Sequence, residues 1–261
     1  MSKARIAVCF FGVLDRSIRF TIHQITKLIL DPLRENYDVT LYGFNLHVGS
    51  ALVDGQPVRH GDWKLLGLDV VHEKKQDEID LEIKRIMSPS STPTIRMRSD
   101  YTAAEVVNTF RQMYSEEKVG NWLDENKDKI DAVVVCGPDY YPTRMFDTGE
   151  IEIVRRYPNR VLTTWTNPGQ GFTNGFYVGK AETLAKVMRR YSCYQHFFPT
   201  DKDYEHILYR SFEMNKVDHG YSKMMFFKIR NNGTVARQGM MRRPEWDEDC
   251  RRAEAYIHAH T

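Results

Sequence analysis

The sequence is poor in the signatures that announce common enzyme and localisation classes. Its four cysteines (Cys9, Cys136, Cys193, Cys250) stand far apart in 261 residues, with no C-x-x-C pair. That spacing excludes a zinc ribbon or a paired-thiol redox centre, and it offers no disulfide framework. No apolar run approaches the ~20 residues of a membrane span, so any membrane contact is expected to be peripheral. The apolar stretch from Ile6 to Val13 is met by Asp15, Arg16 and Arg19. It lacks the length and small-residue cleavage site of a secretion signal. A reducing, cytoplasmic setting is the expectation. Neither sign of charge dominates: 37 basic against 35 acidic residues leave +2. This balance argues against a nucleic-acid partner while leaving small anionic ligands open. The nine histidines form no H-E-x-x-H, and no G-x-S-x-G elbow, P-loop or complete G-x-G-x-x-G occurs.

What is present is apolar material for a core, 41% hydrophobic against 28% charged residues, arranged as alternating strands and helices. Ile6 to Phe11 reads as a buried strand, 17–35 as a helix with Ile18, Ile22, Ile25, Leu28 and Ile29 inward, and Asp38 to Phe44 as a second strand. Leu46 to Gly67 reads as loop or short hairpin, Leu68 to His72 as a third strand, and 73–87 as a charged helix. Proline and serine break the chain at 88–93. Tyr101 to Lys127 is the long helix, opened by the capping-box pair Thr102 and Glu105. Strands follow at Asp131 to Cys136, Arg160 to Thr164 and Phe176 to Val178, helices at 180–194 and 201–216, and a late strand at 223–230 before the turn Asn231-Asn232-Gly233. The pattern predicts a mainly parallel sheet with helices on both faces over residues 1–236. Residues 237–261 form a basic tail ending in a solvated helix, with Glu245, Asp247, Glu248 and Asp249 offsetting its arginines.

Several positions could carry chemistry. Phe11-Gly12 ends the first strand, and Arg16 and Arg19 follow where a helix begins; backbone N–H groups and guanidinium there suit a diphosphate. On the long helix Asn108, Gln112 and Ser115 share one stripe with Val119 and Trp122, whereas Val106, Phe110 and Met113 occupy another. These polar groups either contact a ligand or satisfy backbone groups of a neighbouring loop. Asp139 follows a buried strand through Gly137-Pro138 and is the candidate ligand for Mg²⁺ or Mn²⁺, although the acid two residues away that would complete a D-x-D is absent. Asp203 and Glu205 lie in a denser acidic cluster. Either could act as a general base, but Asp203 also has capping-box spacing with Thr200.

The order of these motifs resembles GT-A-like glycosyltransferase domains of viral and bacterial glycan-synthesis clusters. The resemblance rests on Arg5 to Arg16, Asp38 to His47, the Gln112/Ser115 helix, Ile130 to Asp139, Asn174-Gly175-Phe176-Tyr177-Val178-Gly179, the helix bearing Glu205, and Phe227 to Gly233. It implies a GT-A-like fold and transfer of a sugar from a nucleotide-diphosphate donor, UDP-linked by preference, to a hydroxyl of a glycan acceptor in the cytoplasm, a host's where the source is viral. The opening loop and long helix would hold the nucleotide, Asp139 a divalent metal, and Asn174 and Gly175 the sugars. A non-catalytic nucleotide-binding or scaffold protein on the same fold is the alternative.

Overall fold

Periodicity of two dominates the central strands, and it sorts their side chains into two cores. In the computed structural model, which describes residues 3–87, 102–164, 174–197, 204–236 and 246–260, the chain runs β1 (Arg5–Gly12), α1 (Ile18–Ile25), α2 (Asp31–Asn36), β2 (Asp38–His47), β3 (Leu52–Val53), β4 (Gln56–Pro57), β5 (Val70–Lys75), α3 (Gln76–Ile86), α4 (Ala103–Asn126) and β6 (Ala132–Cys136). It continues through β7 (Tyr140–Pro142), α5 (Gly149–Arg156), β8 (Arg160–Thr164), β9 (Phe176–Gly179), α6 (Ala181–Met188), α7 (Tyr204–Asn215), β10 (Asp218–Ser222), β11 (Phe226–Lys228) and α8 (Trp246–His260). Ala7, Cys9, Phe11, Val133 and Val135 face α4, α6 and α7, while Ile6, Val8, Phe10, Val134 and Cys136 face α1 and α5. Each layer of helices thereby covers one face of the sheet.

The main sheet has seven strands in the order β10-β8-β9-β6-β1-β2-β5. All its pairings are parallel except those of β9, which runs antiparallel to both β6 and β8. This is the mainly parallel α/β class expected from the sequence. From β1 the chain moves outward through β2 to β5, and β6 then takes the other side of β1. The C-terminal edge between β1 and β6 is therefore the switch point at which open sheets form a crevice.

Several elements depart from expectation. The helix expected over 17–35 is interrupted by a wider π turn, Thr26–Leu30. Pro32 has no N–H for the Leu28 carbonyl, which instead accepts from Phe146 N at 2.8 Å. Strand β5 runs on to Lys75, so α3 starts later than expected. Strand β10 and helix α5 had no reading in the sequence, and the late strand is the short β11, paired with β7 in its own two-stranded sheet. The C-terminal helix is not solvated all round. Cys250, Ala253 and Ile257 form one stripe buried with Tyr141, Phe227, Ile229 and Val235. No described helix is long and apolar enough to cross a membrane.

Candidate functional site

A cleft of about 770 Å³ opens at the switch point. Its floor is the β1–α1 connection and the turn after β6. Gly12 bends the connection with φ +93°, a left-handed backbone that favours glycine. The buried amide of Asn45 on β2 locks it, accepting from Leu14 N at 3.1 Å and donating to Glu73 at 2.7 Å. Ser17 and Thr21 then tie α1 across the floor, donating to the Ile229 and Pro138 carbonyls at 2.8 and 2.6 Å. The Gly137-Pro138-Asp139 turn is held from β9's side as well. Gly137 N donates to the Gly175 carbonyl at 2.7 Å, and the Tyr140 hydroxyl donates to the Asn174 carbonyl. Gly175 has φ +87°, and a Cβ there would lie 2.5 Å from the Tyr140 hydroxyl oxygen, so this contact demands glycine.

The cleft lining contains Phe11, Gly12 and Arg16 from the first loop, Asn108, Gln112 and Ser115 from α4, Asp139 from the β6 turn, and Asn174 with Gly175. Residues more than 160 positions apart in sequence thus meet at one corner. Arg19 does not line it. Its guanidinium sits 3.6 Å from Asp62, which supplies counter-charge, and donates to the Asn231 carbonyl at 3.2 Å. Asp203 lies outside the described residues. Glu205, half-buried in the first turn of α7, is not in the lining, but its charge reaches Tyr140 and Tyr177. Burial first, then Asp139 and Glu205 among nearby groups, pushes the Tyr140 phenol well above its ordinary range, so it remains a hydrogen-bond donor.

The three polar residues of α4 are partly committed within their own helix. Ser115 is buried and donates to the Arg111 carbonyl at 2.9 Å, and Gln112 donates to Glu116 at 3.1 Å. Asn108 accepts from Arg111 at 2.8 Å, and Arg111 forks onto Asp80 at 2.6 and 2.8 Å. Behind this wall lies a closed ionic cluster. Glu116 and Arg190, neither exposed at all, form a contact pair, and the Tyr204 and Tyr177 hydroxyls both donate to the same carboxylate.

The electrostatics of the cleft are basic. Arg16, Lys84, Arg111, Lys228 and Arg230 face three carboxylates, Asp54, Asp80 and Asp139, an excess of two positive charges among the described lining residues. Asp139, 7% exposed, has Arg16 Nη1 and Lys228 Nζ each at 3.6 Å from Oδ2. Asp54 takes the Arg16 fork at 2.9 and 3.0 Å, Asn231 N at 3.0 Å and Arg230 at 3.3 Å. Burial raises the Asp54 carboxyl pKa, but Arg16, the Asn231 N–H and Arg230 together outweigh it and hold the group below its ordinary range. These surroundings fit a divalent ion at Asp139 poorly. Such an ion needs several oxygen ligands, whereas here one carboxylate is already balanced by two cations. Elsewhere, Asp15, His47 and His60 offer one ligand atom each, all within 4.8 Å of one another, and could coordinate a divalent metal.

Sequence reasoning missed Asp54, Lys228 and Arg230 as members of this site. A signal existed for each: Asp54-Gly55 is a turn dipeptide, and Lys228-Ile229-Arg230 alternates two bases around one apolar residue, placing both on one face of the strand end. Nothing local marks Glu116 and Arg190, which pair across 74 residues. No protein-family model matches the chain, and no curated protein matches it either. Among solved structures, apo mouse xyloside xylosyltransferase 1 is similar at 9% identity, with 84% of each chain covered and a TM-score of 0.44. A likeness that loose assigns no residue of this chain a role.

Proposed function

We infer that the protein is a glycosyltransferase that binds a nucleoside-diphosphate sugar, UDP-linked by preference, and passes the sugar to a hydroxyl acceptor in the cytoplasm. The observation that carries this reading is the excess of fixed cations at the switch-point cleft, with Arg16 and Lys228 converging on Asp139. The resemblance in motif order supplies the class of donor. In this mechanism the acceptor oxygen attacks the anomeric carbon as its bond to the diphosphate breaks, and the departing electron pair rests on a phosphate oxygen. Arg16 and Lys228 are the groups to offset that charge; they are held in place before the reaction and so need little reorganisation. The polar stripe of Asn108, Gln112 and Ser115 forms the nucleotide side, and Asn174 with Gly175 the sugar side. The fit argued above makes Arg16 and Lys228, rather than Mn²⁺ or Mg²⁺ on Asp139, the principal source of neutralisation.

The carboxylates in the described lining are each ion-paired: Asp54 to Arg16 and Arg230, Asp80 to Arg111, Asp139 to Arg16 and Lys228. The acceptor's proton therefore goes to a group beyond them, Glu205 first and Asp203 second. The same pairing is what favours the second reading, a nucleotide-binding protein without catalysis. Release of UDP from UDP-sugars, followed with and without acceptor, separates the two. Turnover by the wild type, a fall of about tenfold or more in kcat/KM for Arg16→Ala, and a loss concentrated in kcat for Glu205→Gln are expected. UDP binding with no turnover of any UDP- or GDP-sugar would leave only the non-catalytic reading.

A further inference from the structure

We propose that Asp15, His47 and His60 form a binding site for a borderline transition-metal ion of the Zn²⁺ or Co²⁺ type, and that the ion clamps the loop covering the cleft. The inference concerns a place outside the cleft and does not depend on the glycosyl-transfer reading. Asp15 is 3% exposed, and one of its oxygens is already fixed, accepting from Gly61 N at 3.0 Å and Trp63 N at 2.9 Å. Its other oxygen points to His60 Nδ1 at 3.9 Å. The rings of His60 and His47 lie 4.8 Å apart by centroid. One carboxylate and two imidazoles are the donor set preferred by zinc and its first-row neighbours, whereas magnesium and calcium prefer oxygen alone.

The dimensions suit closure by a small movement. Bonds of about 2.1 Å at tetrahedral angles put ligand atoms roughly 3.4 Å apart, and the three atoms here already lie within 4.8 Å. His60 is the exposed member, with its side chain 43% exposed, while Asp15 is held by two backbone amides in the manner of an outer shell that orients a ligand.

The placement gives the ion a consequence. His47 ends β2 and His60 follows β4, so the two histidines stand at the stems of the loop 48–59. That loop carries the β3–β4 hairpin, whose Ala51, Leu52, Val53 and Asp54 line the cleft, and Asp54 grips Arg16 and Arg230. An ion joining both stems to Asp15 on the β1–α1 connection ties the cleft's cover to its floor.

The test uses untagged, chelator-treated full-length protein titrated with Co²⁺ and Zn²⁺, against Mg²⁺ and Ca²⁺. One equivalent of Co²⁺ should bind with ligand-field absorption, raise the unfolding temperature, and slow tryptic cleavage after Arg59, whose side chain is 74% exposed. His47→Ala and His60→Ala should each weaken that equivalent about tenfold or more and abolish the protection, while Mg²⁺ and Ca²⁺ do nothing in any form. His258→Ala, at an exposed position on α8, should behave as wild type. The proposal is overturned if the wild type binds no equivalent, if both loop-histidine variants bind as tightly as wild type, or if bound Co²⁺ leaves cleavage after Arg59 unchanged. Circular dichroism of His60→Ala separates lost ligation from lost folding, since an exposed histidine should leave the fold intact.

Discussion

Glu116 and Asp139 are both buried carboxylates beside cations, yet their surroundings differ in one decisive respect. Glu116 is sealed: Arg190 touches it directly, two tyrosine hydroxyls and the Gln112 amide complete its shell, and neither charge has any exposure. Asp139 sits at the lip of a cleft, with its two cations at 3.6 Å, beyond direct hydrogen bonding. The cation of the first pair is buried where no ligand can reach it. Those of the second retain donors for something else. Burial of charge alone therefore does not mark a binding site; incomplete neutralisation next to open volume does.

The largest effect should come from breaking the sealed pair. Arg190→Met leaves the Glu116 carboxylate uncompensated in a dry environment and is expected to cost about 3–5 kcal/mol of stability. The double variant Glu116→Gln/Arg190→Met should recover most of that loss, because the desolvation of both ions disappears with them; Arg190 Nε and Nη1 already lack hydrogen-bond partners among the described residues. Denaturant unfolding of the wild type, Arg190→Met, Glu116→Gln and the double variant provides the double-mutant cycle. A single-variant loss below about 1 kcal/mol would mean that water reaches Glu116 and that the contrast with Asp139 is one of degree.

A smaller effect, of opposite sign, should follow at the open pair. Asp139→Asn keeps the shape of the side chain but removes the charge that Arg16 and Lys228 face. UDP measured by calorimetry in the presence of chelator should bind several-fold more tightly, on the order of 1 kcal/mol for one charge near the surface. In a parallel titration with Mn²⁺ in place of chelator, a ligand role for Asp139 predicts the reverse, weaker binding and the loss of the Mn²⁺ dependence. The sign of the change decides between them.

The division between these regions also governs what could be read without coordinates. Cys9 and Val135 lie in continuous apolar runs whose meaning is local, so the central strands and their mainly parallel arrangement were legible. The capping box at Thr102 was legible for the same reason, and the structure contains both of its hydrogen bonds. Asp139 at a strand end, Gly12 at a turn and the stripe of α4 pointed to one edge of the sheet because strand ends and helix faces are local properties. By contrast, Arg190 finds Glu116, and Asp54 finds Arg16, only through tertiary packing. The position of Arg19, outside the cleft lining and beside Asp62, turns on a similar point: whether an arginine near a helix start faces the cleft or Asp62 depends on where the 59–66 segment folds back. Helix α5 and strand β10 were missed because short elements carry little periodicity of their own.

A third way of burying an ionisable group completes the comparison and makes the smallest prediction. His219 on β10 shares a hydrogen bond with the Thr163 hydroxyl at 2.9 Å, and burial pushes its pKa down from 6.5 to about 4. It therefore stays neutral in the folded protein at pH values where the unfolded chain would protonate it. Between those limits the unfolded state binds more protons, so folding stability falls as pH is lowered from about 6.5 to about 4 and the contribution is fully present above that window. Below it, Asp54 takes over: its depressed carboxyl contributes above the ordinary value of 3.8 and loses that contribution as pH falls through its lower folded value. With partial exposure discounting the histidine term to on the order of 1 kcal/mol, His219→Gln should flatten the stability profile between pH 6.5 and 4 without altering the steeper loss at lower pH. Unfolding free energies measured at half-unit pH steps give both slopes. An unchanged upper slope in the variant would show that water solvates the imidazole in the folded state, and that His219, unlike Glu116, is not sealed from solvent.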